Sequence, residues 1–419
     1  MVNIGVICPS LSGHLNPMTV LARELQSRSH RLIFFQIPDL ESRISRDGLG
    51  FYPIGQSDYP LGSLSQYVAK LGELEGISII QYWHQEHQRM TEVFCRDVPQ
   101  AIKEKEIELL LVDQVEPAGR AIAEYLNLPY ITICNALALN RESNIPPVFT
   151  NWKYRDSWLS RLRNQLFYYI GDSTIKKYDR TIFEYRKKWK LPTLKGSDLL
   201  FANSPLAQIS QQPPLFDFPR RNLPPCFHYC GPFRSDISTE VDFPYDKLNG
   251  KPLIYASLGT LQNTKQEIFQ IIAAACQGLE VQLVIAHGGG LDDSAIRQLA
   301  GSPLVVPYAP QWQLLSKASL TITHAGLNTV LDSLSHGVPL ITIPIAFEQP
   351  TIAARIDWLG VGKSIPVAKL NIPILRSSIK QLFSRQSYRQ AAEKVKNSID
   401  RAGGVRQAAD IIEKIIIDR

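Results

Sequence analysis

The first residues able to do chemistry follow the apolar run at 2–8: Gly13-His14-Leu15-Asn16-Pro17. Gly13 permits a sharp turn, and Pro17 suits the first turn of a helix expected from about residue 16, where a missing N–H costs nothing. The His14 imidazole is thereby set at the carboxyl edge of a strand, where it can take a proton near neutral pH. Alone, a histidine after a strand is more often structural than catalytic. A second apolar run, 109–112, ends on Asp113. A carboxylate fixed on the far nitrogen of an imidazole selects its tautomer and stabilises the cation formed on protonation, so His14 and Asp113 make a candidate catalytic dyad. Two alternatives stand beside it: Asp113 as the N-cap of a helix over 117–126, and Glu116 as the imidazole's partner instead.

A second constellation, Thr323-His324-Ala325-Gly326-Leu327-Asn328-Thr329, follows another apolar run and opens another helix. Its small residues let backbone amides approach a ligand. A helix N-terminus offers unpaired N–H groups and a partial positive charge, which suits a diphosphate and would stabilise it as a leaving group without a metal. As an isolated string, His-Ala-Gly is weak, because small residues are common at strand–helix turns.

Both constellations need strand tips to hold them. Over the first 135 residues, apolar runs at 2–8, 31–36, 109–112 and 130–134 alternate with longer amphipathic segments; from Gly250 the rhythm restarts with runs at 253–257, 281–286, 304–306, 320–323 and 340–343. Near-continuous apolar strands separated by helices indicate parallel sheets covered on both faces, and ligands of such sheets sit outside the carboxyl ends of the strands. At 419 residues the chain is long enough for two such domains. The stretch 211–225, rich in Pro and Gln, reads as a loop, and Gly231-Pro232 marks the interdomain connection. An apolar stripe through Ala408, Ile411, Ile412 and Ile415 requires the C-terminal helix to pack on the body.

A formal charge of +6 is modest for this length and excludes a dedicated nucleic-acid binder. The six cysteines are scattered, mostly within apolar runs; only Cys226 and Cys230, read as strand residues, approach metal-ligand spacing, and no second pair completes a site, so no metal is expected. The N-terminus lacks the basic start of a secretory signal and no run is long enough to span a membrane, which points to the cytoplasm with peripheral membrane contact as an option. That option rests on 151–190, where eleven Lys or Arg face four acids and ten aromatics intervene. Such a mixture suits an interfacial helix pair on anionic lipid, or equally a solvated insertion whose aromatics cover the sheet.

Tyr308-Ala309-Pro310-Gln311, His324 to Thr329, Asp332, His336-Gly337-Val338-Pro339, Pro344 and Glu348-Gln349 resemble, in order and spacing, the nucleotide-sugar signature of UDP-dependent glycosyltransferases of small molecules. Gly13-His14-x-x-Pro17, Asp113 and Ser257-Leu258-Gly259-Thr260 match as well, so the resemblance covers nearly the whole chain. It implies an α/β, GT-B fold: two Rossmann-like domains facing across a cleft. Residues 1–225, completed by the C-terminal helix at 400–419, would bind the acceptor, and 226–399 the UDP-sugar. It makes Tyr308 and Ala309 the uracil contacts and Gln311 and Asp332 the ribose contacts. The diphosphate would lie on Thr260, His324, Asn328 and Thr329 with the backbone at Gly326 and Leu327, and the sugar on Glu348 and Gln349. His14, oriented by Asp113, would deprotonate the acceptor in one inverting displacement. No cofactor is implied beyond the donor substrate, for which UDP-glucose is expected.

Plant members of the family usually have Trp at the positions of Tyr308 and Leu327, Glu at Asp332 and Asp at Glu348. The shorter Asp332 reaches fewer ribose hydroxyls, and Glu348 leaves the sugar open. For the acceptor, the segment 134–142 with Ile145-Pro146-Pro147 resembles zeaxanthin glucosyltransferases, which glucosylate carotenoid hydroxyls. Flavonoid, phenolic or macrolide-like acceptors are the alternative, and a GT-B-shaped UDP-sugar epimerase or a silent binding protein is the alternative of another class.

Overall fold

Apolar runs without alternation are satisfied only where both faces of a strand are covered. In this computed structural model, which describes residues 1–74, 76–178, 180–194, 201–234 and 241–418 (backbone alone at 77 and 173–178), two such sheets form. The first holds β1 (Asn3–Ile7), β2 (Arg31–Gln36), β3 (Gly50–Pro53), β4 (Leu109–Asp113), β5 (Tyr130–Cys134), β6 (Gln208–Ser210) and β7 (Phe227–Tyr229), all parallel, in the order β3-β2-β1-β4-β5-β6-β7. The second holds β8 (Leu253–Ser257), β9 (Gln282–Ala286), β10 (Leu304–Val306), β11 (Ala318–Thr323), β12 (Leu340–Thr342) and β13 (Gly362–Ser364), again parallel, in the order β10-β9-β8-β11-β12-β13.

The order reverses between β1 and β4 in one sheet and between β8 and β11 in the other. At such a switch point the two connections leave in opposite directions and open a crevice. Register puts the right residues there. Ile7 lies beside Val112, so the turn before His14 and the tip carrying Asp113 emerge together; Ser257 lies beside Thr323, so the segments to Thr260 and to His324 do the same.

Strand β7 bonds to β6, which extends the first sheet to Tyr229, past the boundary expected at 225. Cys226 and Cys230 flank this strand as free thiols and do not lie within it. The C-terminal helix Gly404–Ile417 returns to the first half, where Ala408, Ala409 and Ile412 enter its core and Arg28 binds Asp410 and Glu413 at 2.6 and 2.7 Å.

The halves are joined by a buried ion cluster. Arg355, on helix Gln349–Leu359 of the second half, donates to Asp217 Oδ1 (2.8 Å) and lies 4.2 Å above the Phe218 ring; Arg220 and Tyr229 bond the other carboxylate oxygen at 2.6 and 2.9 Å. Burial alone would raise the Asp217 carboxyl, but the two guanidinium charges hold it down at about 2. Replacing Asp217 by Asn strands two buried cations and should cost about 3–5 kcal/mol in denaturant unfolding. In the native chain this contribution is complete above the ordinary aspartate value of 3.8 and fades as pH falls toward about 2. An unchanged unfolding midpoint in the variant would contradict the cluster's role.

Candidate active site

The first helix begins at Ser12, four residues earlier than expected, so His14 sits in its first turn and Pro17 lies inside it. A proline there has no N–H for the carbonyl four residues back, which leaves the Gly13 oxygen without its helical partner. Asn328, from the opposite half, donates its side-chain N–H to that oxygen at 2.9 Å. The motif thus does more than start a helix: it presents a bare carbonyl across the cleft, one residue from the imidazole.

His14 Nδ1 lies 2.8 Å from Asp113 Oδ2, and the same oxygen accepts from Asn135 Nδ2 at 2.7 Å. The carboxylate is fully buried, while 22% of the imidazole side chain remains exposed. Facing an acceptor-only carboxylate, Nδ1 carries the proton and Nε2 is left to receive one. Burial pulls the His14 pKa down, but the charge and hydrogen bond of Asp113, with smaller effects of Glu348 and Glu116, leave it above the ordinary 6.5. Glu116 does not bond the imidazole. Burial and the Asp113 charge push its carboxyl up to about 8, so it is uncharged at neutral pH. Nor is Asp113 the cap of helix Pro117–Leu126; that position belongs to Glu116, which makes no capping bond, while Asp113 Oδ1 takes the Val115 N–H at 3.1 Å.

Opposite stands the N-terminus of helix Leu327–Ser335. Its first N–H groups have no helical acceptors, Asn328 belongs to that turn, and the exposed Thr260 follows Gly259, whose backbone packs against His324. The glycines here have a further task. A Cβ on Gly326 would sit 2.6 Å from His324 Nε2, and one on Gly259, at φ +73°, 2.6 Å from His324 Cε1. The imidazole is therefore clamped between two residues that must lack side chains. Burial lowers its pKa to about 4, so His324 would meet a diphosphate as a neutral hydrogen-bonding ring.

Farther along, Gln311 Nε2 donates to Asp332 Oδ2 at 2.6 Å, and Gln311 Oε1 accepts from Thr329 Oγ1 at 3.4 Å. Tyr308 is 59% exposed, its ring available for stacking, and Ala309 packs on the core behind it. Glu348 is half-buried, its carboxyl raised by burial and lowered in part by a backbone hydrogen bond and by the His14 charge. Gln349 differs from expectation: its Oε1 already accepts the Ile345 and Ala346 N–H groups, both at 2.8 Å, so its oxygen shapes its own loop and only the amide nitrogen is left to offer.

Sequence reasoning missed Arg234. This residue, in the connection between halves, forms an ion pair with Asp332 through Nε, and its Nη2 donates to the Asn328 carbonyl at 3.3 Å. No motif signals it; only the charge of an arginine next to Gly231-Pro232 could have drawn attention. Among the described residues no group of three or more His, Cys, Asp or Glu gathers that could hold a metal.

Two parallel sheets whose switch points face one cleft, with an imidazole–carboxylate pair on one side and a helix N-terminus on the other, define a GT-B glycosyltransferase. Residues 64–400 match the model of the UDP-glucoronosyl and UDP-glucosyl transferase family, and the chain belongs to that family. It is similar to the zeaxanthin glucosyltransferase of Pantoea ananas, with 36% identity over 99% of this chain and 96% of that protein. It is likewise similar to the zeaxanthin glucosyltransferase of Pseudescherichia vulneris, with 33% identity over 99% and 98%. Among solved structures, the glycotransferase of kitacinnamycin superposes with a TM-score of 0.77 over 99% of each chain at 20% identity, which speaks for the fold.

Arg234 places a cation beside both Asp332 and the first turn of helix Leu327–Ser335, so its loss leaves a carboxylate uncompensated there. Arg234→Ala should weaken UDP binding about tenfold by calorimetry, the scale of a lost charged hydrogen bond, and Arg234→Lys should recover part of it. Equal affinities in all three proteins would remove Arg234 from the site.

Proposed function

We propose that this glycosyltransferase moves glucose from UDP-glucose to a hydroxyl of a lipophilic acceptor, a xanthophyll by preference, with inversion at the anomeric carbon. The observation that carries the reading is the 2.9 Å bond from Asn328 to the Gly13 carbonyl, which seats the mouth of one helix against the residue preceding His14. A base and an anion cradle brought to one cleft from opposite halves suit one displacement. The acceptor oxygen gives its proton to His14 Nε2 as it attacks the anomeric carbon. The bond from that carbon to the diphosphate breaks, and its electron pair leaves with UDP. The charge left on UDP meets the N–H groups of Leu327 to Thr329 and the His324 ring, and the imidazolium charge meets Asp113.

Tyr308 and Ala309 would hold the uracil, Gln311 and Asp332 the ribose, Thr260 and Gly326 the diphosphate, and Glu348 with the Gln349 amide the sugar. The acceptor assignment rests on the two relatives named zeaxanthin glucosyltransferase, each similar over nearly the full length. Incubation with a panel of UDP-sugars and with hydroxylated carotenoids or phenols, followed by mass spectrometry, tests donor and acceptor together. UDP-sugar consumed with neither glycoside nor UDP formed would replace this reading with an epimerase.

His14→Ala should lower transfer by about 10²–10⁴-fold while UDP binding persists, as removal of a general base does. Because the base must be neutral to act and its pKa is raised, kcat/KM should climb with pH through an inflection above 6.5. Asp113→Asn removes the largest raising influence, so the inflection should move down while the rate also falls. A rate independent of pH through this range would exclude His14 as the base.

A further inference from the structure

Helix Trp158–Tyr178 is turned inside out. On a helix of 3.6 residues per turn, Ser160, Asn164 and Tyr168 share one face, and that polar face meets the body. Asn164 donates to the Ser143 carbonyl at 2.9 Å, Tyr168 to the Ile145 carbonyl at 3.3 Å, and Ser160 accepts from the Ser157 hydroxyl at 2.9 Å. The opposite face carries Trp158, Leu159, Leu162, Leu166, Tyr169 and Ile170, each between 55% and 77% exposed. A surface helix ordinarily buries its apolar stripe, and a contiguous apolar patch of this kind marks a surface with a partner.

The following helix behaves in the ordinary way. In Arg180–Lys188, Tyr185 bonds Glu92 at 2.7 Å, and Trp189 just beyond stacks on Tyr125 with ring centroids 4.5 Å apart, so these aromatics cover the body. Of the two readings of 151–190, the sheet-covering one describes this second helix, and the outward apolar face of the first helix is left exposed. The side chains of Lys176 and Lys177, and Asp179 as a whole, lie outside the described residues.

Among the described residues the net charge around the stripe is positive. Asp156 is held by Arg161 and Arg221, and Asp172 by Arg141, so the acids of 151–172 are each neutralised by arginine. Lys153 and Arg155 are exposed just before the helix, and Arg163 lies beside the stripe, 4.0 Å over the Trp152 ring. Apolar side chains rimmed by surplus cations complement a bilayer that is apolar within and anionic at its surface. Among the described residues no helix is long and apolar enough to cross a membrane.

We infer that the outward face of helix Trp158–Tyr178 is a membrane-docking surface that lays the chain on anionic lipid. The inference stands apart from the donor and acceptor assignments, and its test reads lipid binding without any transfer reaction. The whole protein is floated with vesicles of phosphatidylcholine alone or mixed with phosphatidylglycerol. It should rise with the mixed vesicles, less so at high salt. The double variant Leu162→Glu, Leu166→Glu should bind about tenfold less, as expected when an interfacial apolar face is broken. Circular dichroism and UDP binding like those of the native chain would show that this variant is folded. Brominated lipid should quench the native protein more than Trp158→Phe. Failure to float with either vesicle, or flotation of the double variant equal to that of the native chain, would overturn the inference. So would a native dimer in sedimentation that the double variant converts to a monomer, because the stripe would then belong to a second copy.

Discussion

The 2.8 Å bond between His14 and a wholly buried Asp113 is the constraint around which the first half is built. A buried carboxylate is tolerated only when its oxygens are satisfied, and here the Val115 N–H, the Asn135 amide and the imidazole all converge on it. Glu116, three residues away, is pushed up to about 8 by burial first and by the Asp113 charge second, so its proton stays on at neutral pH. The result is one anion, not two, against which an imidazolium can form. Everything that fixes Asp113 serves this arrangement, from the register of β1 on β4 to the strand that delivers Asn135.

The satisfaction of Asp113 does not end in the first half. Asn135 receives Gln211 Nε2 on its oxygen at 3.3 Å, and Gln211 Oε1 accepts from Phe233 N at 3.3 Å and from Arg234 Nη1 at 3.5 Å. Arg234 in turn pairs with Asp332, which bonds Gln311. The connection between the halves therefore ties the residue behind the base to the carboxylate expected under the ribose. Its links are long and individually weak, and their value lies in direction: each donor or acceptor is turned toward the next, so side-chain orientations on the two sides of the cleft are not independent.

How much of this was legible follows from what each residue depends on. Strand β4, with its run of leucines, announces itself because burial on both faces leaves no polar position, and the tip residue Asp113 comes with it. Strands β6 and β13 are three residues each, spelled Gln-Ile-Ser and Gly-Lys-Ser, and only their neighbours in the sheet make them strands, whereas β7 lies within the stretch 226–230 whose cysteines read as strand residues. His14 was found through its motif, yet the consequence of Pro17 for the Gly13 carbonyl required knowing that the helix begins at Ser12. Arg234 carries no local pattern at all. Gln349 has the right chemistry for a sugar, and only the fold of its own loop spends its oxygen on two backbone amides.

Contacts between the halves differ in what their loss would cost. Arg355 and Asp217 are charged and buried, and removing either one leaves the other unpaired in an interior that solvates it poorly, a penalty of about 3–5 kcal/mol. The Asn328–Gly13 bond joins neutral groups at the mouth of the cleft, where water can replace either partner, and such a bond contributes about 0.5–1.5 kcal/mol net. The strong tie is thus placed at the connection and the weak one where substrates must enter. Pro17 explains why the weak tie exists: by withholding a helical donor it leaves an acceptor that any incoming N–H or water can satisfy, so the cleft can be unlatched without stranding a charge.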